Sequence, residues 1–350
     1  IWLTSDEGIW RLGPVASWQD ERLSGSPRIS RFGETPNQSP GALSSNLISA
    51  LAFDDLGRLW AGSFRDGIDV IAPDDISDDI LDGRRVTHLE SETIREINAL
   101  VWDKESKRML AATAQGLIRF GGSFGSQRLG AADGLLSNSV AHVASIQTNP
   151  KSDRAAVALA TSRGLSLGDA KQRPGGLPYA FRGLTTVQGL PNNSVYSVLS
   201  HRELIYAGTL GGLAQIAGGR VIRVFKDSNS KLTHNWAPAL CEARGRLFVG
   251  TYGGGVFDLT PAGEFVSFAS ETGKQWVNPN AMASDGERLY VGTLDGAWML
   301  DLRSQKWIRL KSELPSDVVM SVAYDENHVY FGTTSGIARV NKTYLKQIGE

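Results

Sequence analysis

A small residue, then Ser or Thr, then two or three residues and a Gly recurs at LTSDEGI, AGSFRDGI, AATAQGL, LATSRGL, AGTLGGL, VGTYGGGV, VGTLDGA and FGTTSGI. The hydroxyl residues are Ser5, Ser63, Thr113, Thr161, Thr209, Thr251, Thr293 and Thr333, at intervals of 58, 50, 48, 48, 42, 42 and 40 residues. A period of this length built from short strands means propeller blades, because the other repeat units of similar length are helical. Seven of the eight residues preceding the hydroxyl are Gly or Ala, the exception being Thr4. Blades converge toward an axis, and a side chain at this point would hold neighbouring sheets apart, which is one use for Gly within a strand.

The complete unit is clearest at 189–216, GLPNNSVYSVLSHRELIYAGTLGGLAQI. A turn leads into an alternating run, a polar break leads into a second run, and a glycine turn opens a third. Period-two alternation bounded by Gly, Pro and Asn marks strands. Three strands of this length cannot bury both faces alone, so each unit needs neighbours. Blades are expected at about 1–40, 41–92, 93–134, 135–188, 189–231, 232–272, 273–313 and 314–350. The first unit supplies only IWLTS, GIWRL and PRISRFG, with no innermost strand before them. The expectation is therefore an all-β, single-domain β-propeller, eight-bladed with an incomplete first blade. The alternative is seven blades with an extra N-terminal sheet. A chain that starts at Ile1 in mid-strand implies a removed leader or further residues upstream.

Size and charge narrow the function. With 350 residues, 41% hydrophobic, the chain can fill a large core as one closed domain. Its net charge is −1 with Lys and Arg scattered, whereas a nucleic-acid partner would call for a basic field. No apolar run approaches the length of a membrane-spanning helix. The single cysteine, Cys241, rules out an internal disulfide and a Cys-based metal cluster, and in PALCEA it reads as a core residue.

The segments GLPNNSVYSVLS…LIYAGTLGGLAQI and GLLSNSVAHVASI…VALATSRGLSL resemble two-component regulator propeller repeats. That pattern is a Gly-Leu-Pro/Ser-x-Asn-x-Val turn and strand followed by an aromatic/aliphatic-Gly-Thr-x-x-Gly-Leu hairpin. The match is close in the fourth and fifth units, good in the hairpins of the second, sixth, seventh and eighth, and loose elsewhere. The resemblance implies a periplasmic or extracellular sensor propeller, tied to signal transduction through a separate output module. Nothing in this chain resembles a kinase, a membrane span or a DNA-binding domain.

The residues opening each innermost strand lie 16 or slightly more positions before the repeated hydroxyl: Asn46, Arg95, Asn138, Asn193, Asn235 and Asp317, with Asn278 beside Val277 in the seventh unit. In a propeller these entries share one rim of the channel with the turns between second and third strands. The same rim thus receives Arg65, Asp66, Tyr252 and Asp295, with His234 and Trp236 flanking Asn235. Amides, aromatics and a few charges around one mouth suit a polar ligand such as a sugar, or a partner protein. The alternative role for the Asn and Asp residues is to close turns at strand entries.

Other motifs carry less. GGSFG at 121–125 satisfies G-x-S-x-G, but a nucleophile elbow needs a helix after the turn, and a strand follows here. The acidic run 73–83 offers Asp74, Asp75, Asp78, Asp79 and Asp82 without the regular oxygen-ligand spacing of a calcium loop. TSDEGIW at 4–10 is similar to a sialidase Asp-box but occurs once and in the wrong hairpin. The five histidines, His88, His142, His201, His234 and His328, lack metal-ligand spacing. Glycine clusters such as GTYGGG have no helix N-terminus behind them to receive a phosphate. No cofactor is expected. The reading is a non-enzymatic extracytoplasmic recognition module, with a scaffold subunit of a membrane-associated complex and a propeller lyase or hydrolase as the rivals.

Overall fold

The alternating runs become strands in a computed structural model that describes residues 2–5, 8–11, 29–32, 43–73, 86–121, 124–146, 156–170, 176–310 and 314–347. Among these residues, seven four-stranded antiparallel sheets follow one another: blade one (48–89), two (97–129), three (140–184), four (195–225), five (239–267), six (277–310) and seven (319–341). Each innermost strand neighbours that of the next blade, and Val319–Tyr324 neighbours Ile48–Phe53, which closes the ring.

The ring has seven blades, not eight, and the second to eighth sequence units supply them. The strand in PRISRFG, assigned from sequence to a first blade, is instead the outermost strand of the last one. Ile29–Phe32 pairs antiparallel with Gly336–Asn341, Ile29 opposite Val340 and Phe32 opposite Ile337. Among the described residues, Trp2–Ser5 and Gly8–Arg11 pair only with each other as a two-stranded sheet, as in the seven-bladed alternative. The physical reason lies at the other terminus. There the third strand of the last blade runs directly into a short helix, Lys342–Gln347, rather than into a fourth strand. Asn341 Oδ1 accepts the Thr343 N–H at 2.8 Å, a helix-capping contact, and Leu345 is buried. The outer position of blade seven is thereby left for the N-terminal strand.

The core is divided among the gaps between blades. Seven clusters of buried apolar side chains each draw on two neighbouring sheets. One joins Tyr330 and Ile337 of blade seven to Ile48 and Leu59 of blade one. Each fully buried aliphatic or aromatic side chain contributes about 1.5–3 kcal/mol, so every interface stabilises both of its sheets.

The repeated small residue sits where the blades touch. A Cβ at Gly332 would lie 2.7 Å from Ile48 Cγ2, and one at Gly250 would lie 2.6 Å from Val277 Cγ1. At Gly208 it would overlap the Ala237 carbonyl of the next blade. Ala112 and Ala160, at the same position in blades two and three, are fully buried. The hydroxyl that follows organises its own hairpin. Thr113, Thr161, Thr209, Thr251, Thr293 and Thr333 are fully buried, and each Oγ1 donates to a hairpin glycine carbonyl at 2.7–2.9 Å. In five of these hairpins it also accepts the N–H two residues on. Both halves of the sequence signature are structural.

Gly208→Ala is expected to destabilise the protein by about 1–3 kcal/mol through overpacking against a neighbouring backbone. Gly125→Ala, with no atom within 4 Å of the added methyl, should leave the urea midpoint almost unchanged. Equal effects of the two substitutions would contradict the assigned blade contact.

Candidate functional site

The innermost strand of each blade exposes a free edge to the axis, so every second N–H and C=O along it has no partner within its sheet. A channel lined by seven such edges is polar by construction. Its two mouths differ. One is formed by strand entries and by the turns between second and third strands. The other is formed by the turns between first and second strands.

The thirteen residues expected at the first mouth fall into groups. Asn138, Asn193 and Asn235 hold turns closed: each Oδ1 accepts a backbone N–H seven or eight residues back, from Ala131, Thr186 and Asp227 at 2.8–2.9 Å. Asn46 and Asp317 link blades through their carbonyls, which accept the N–H of Gly336 and of Gly296 at 2.7 Å. Arg95 pairs with Glu90 at 2.8 Å, and Asp295 pairs with Arg309. Asp66 donates its backbone N–H to Ser63 Oγ at 2.6 Å, while Arg65 is exposed beside it. Asn278 is a wall residue, 3% exposed, with its amide on the Val319 carbonyl of the next blade at 2.7 Å.

His234, Trp236 and Tyr252 are the members brought together. Trp236 and Tyr252 have ring centroids 4.3 Å apart, and the Tyr196 centroid lies 5.0 Å from that of Trp236. His234 Nδ1 accepts the Trp236 backbone N–H at 3.2 Å. Trp276, which sequence reasoning passed over, forms an isolated bridge with Tyr252 and is 49% exposed. Leu210 and Leu294, in the hairpin turns of blades four and six, are also exposed. This mouth therefore carries an aromatic platform over blades four to six. The exposed Trp276 was legible only as another tryptophan before a strand.

The other mouth opens into a cavity of 480 Å³ to which all seven blades contribute, and none of the thirteen residues lines it. Sequence reasoning missed its key residue. In blade six Val277 faces Thr293 and the next pair is Met282 with Val291, so the wide bulge 278–281 stands opposite Gly292 alone. The bulge places Asn280 in the channel at φ +58°, a left-handed conformation that Asn tolerates. Asn280 Nδ2 donates to the Ala141 carbonyl of blade three at 3.0 Å, and its N–H donates to the Pro238 carbonyl of blade five at 3.1 Å. The channel is thus crossed from blade six to blade three. The signal in the sequence was Pro279, since Pro inside a strand points to an edge or a bulge.

His142 lies on the cavity wall with Nδ1 3.1 Å from the Val198 carbonyl of the next blade. Its desolvation outweighs that hydrogen bond and lowers its pKa to about 4. Cys241 is on the same wall, where burial and then the Glu242 charge push its thiol up to about 12. Among the described residues no three His, Cys, Asp or Glu side chains converge on a metal position. Ser123 of GGSFG, Asp6 and Glu7 of the TSDEGIW turn, and Asp74, Asp75, Asp78, Asp79 and Asp82 lie outside the described residues.

No family model matches the sequence, and no curated protein does. Solved structures do. The extracellular domain of the hybrid two-component system BT3049 from B. thetaiotaomicron superposes at TM-score 0.71 with 17% identity, over 93% of this chain and 42% of that one. The extracellular domain of BT4673 from the same organism gives 0.65 and 18%, over 85% and 40%. This chain therefore spans about two fifths of those domains. Virginiamycin B lyase from Staphylococcus aureus gives 0.64 and 13%, over 89% of this chain and 98% of the lyase. The chain is a β-propeller module whose structural neighbours include extracellular domains of two-component systems. Among its described residues no helix is long and apolar enough to cross a membrane.

The neutral His142 sets a pH dependence. Between its ordinary value of 6.5 and about 4, the unfolded chain binds a proton that the folded chain does not. This contribution to stability is complete above pH 6.5, falls as the pH drops, and levels off below about 4 with a loss of about 3 kcal/mol. Urea unfolding at pH 7 and pH 4 should show His142→Asn losing less stability than wild type by that difference. Equal losses would show that His142 is not buried neutral.

Proposed function

We propose that this propeller is a non-enzymatic extracytoplasmic recognition module that takes a polar ligand, a carbohydrate in the first instance, on the aromatic mouth over blades four to six. The observation that carries the reading is the run of Tyr196, Trp236 and Tyr252 with the exposed Trp276 beside them. Sugar rings present C–H faces that stack on such surfaces, while hydroxyls reach the polar groups around them. His234 and the Asp295–Arg309 pair belong to the same rim and supply such groups.

The outer wall argues less strongly for a protein partner. Its exposed large aliphatics include Ile222 and Val266, one each on the outermost strands of blades four and five. Two separate side chains do not make the contiguous apolar area that protein interfaces use. The extracellular two-component domains with the same fold support a sensing role, in which ligand would favour one arrangement of the module with its output partner. The lyase with the same fold keeps catalysis as the rival reading.

Affinity electrophoresis in gels cast with soluble polysaccharides tests the proposal. At least one glycan should retard the protein, and Trp276→Ala with Tyr252→Ala should weaken retardation about tenfold or more, with the melting temperature nearly unchanged. Retardation by no glycan, or retardation unaffected by the double substitution, would overturn it.

A further inference from the structure

The cavity at the opposite mouth is a separate site with different chemistry. Asn280 and its bulge cross the channel on the side of the aromatic platform, so a molecule enters from the turns between first and second strands. At 480 Å³ the cavity falls within the range of about 300–1,000 Å³ typical of ligand pockets. Its deeper wall is neutral and polar, with Asn98, His142 and Asn280, while Ser145, Ser200 and Ser284 stand nearer the opening.

The charges are unevenly placed. Lys104, Glu105 and Glu242 line the cavity, one cation against two carboxylates. Charged groups around this opening also bond within the protein, and Glu242 Oε1 accepts the Gly245 N–H at 2.6 Å. Arg202 donates to the Gly245 carbonyl at 2.6 Å, and Lys342 pairs with Asp285 at 2.9 Å. Two aromatic residues, Trp102 and Tyr324, also line the cavity; Trp102 packs against the apolar cluster between blades one and two, and Tyr324 is 40% exposed. The Tyr324 ring already carries a cation, since Lys342 Nζ lies 5.0 Å from its centroid. Burial and then the Glu242 charge raise the pKa of the Cys241 thiol, and burial above all raises that of the Tyr324 hydroxyl, with the Asp285 and Glu242 carboxylates acting in the same direction.

We propose that the channel cavity binds a small organic cation of the substituted-ammonium class, held between the Glu242 carboxylate and the aromatic faces of Tyr324 and Trp102. A carboxylate beside an aromatic face is the combination that recognises such ions, because the ring quadrupole attracts positive charge without the geometry a hydrogen bond demands. The neutral deeper wall receives the uncharged end of the molecule, with donors and acceptors supplied by the strand edges. The site would let the ring read two unrelated ligands, one at each mouth.

The probe is choline, with its uncharged carbon isostere dimethylbutanol as the control, titrated by calorimetry. Choline should bind at least about tenfold more tightly than the isostere. Glu242→Gln, which keeps an oxygen to accept the Gly245 N–H, should weaken choline about tenfold while leaving the urea midpoint in place. Tyr324→Leu should weaken it by a similar factor, and Trp276→Ala at the far mouth should leave it within about twofold. Equal binding of choline and isostere, choline binding unmoved by Glu242→Gln and Tyr324→Leu, or no choline binding at millimolar concentration would each overturn the proposal.

Discussion

The contact between the small residue of each second strand and the innermost strand of the next blade sets everything else. Sheets that must converge on an axis can approach only as closely as their side chains permit. Gly332 against Ile48 and Gly208 against Ala237 show how little room remains. The buried Thr that follows fixes the hairpin, and the apolar clusters fill the space further from the axis. Close approach at this point, repeated seven times, brings blade seven back beside blade one.

Much of this was legible because it repeats. A hydroxyl with a constant hairpin role leaves a period in the sequence, and the alternating runs around it leave the strands. Closure did not repeat, and there the reading went astray. The strand at 29–32 was recognised, but its blade depended on a helix after Asn341, capped by that residue's own side chain and held by the buried Leu345. No periodicity announces a single capped turn. Counting second strands gave eight units, whereas among the described residues the strands at 2–5 and 8–11 pair only with each other.

The site was legible to a different degree. Reasoning from rim geometry picked out Trp236 and Tyr252, which do meet, and Asn138, Asn193 and Asn235, whose side chains are spent on closing turns. It passed over Asn280 because period-two alternation assumes one residue opposite one, while the bulge sets four residues against one. That irregularity makes the channel one-sided. It separates an aromatic surface from a polar cavity with carboxylates at its entrance, so a ring of near-identical blades acquires two unlike ends. The asymmetry comes from the residues that break the repeat: Trp236, Trp276 and Asn280.

Backbone hydrogen exchange across the closing strand tests the seven-bladed ring most directly. The amides of residues 29–32 should be protected to about the same degree as those of 336–341 and lose protection together with them in denaturant. Free exchange at 29–32 while 336–341 stays protected would show that the ring is not closed by its N-terminal strand.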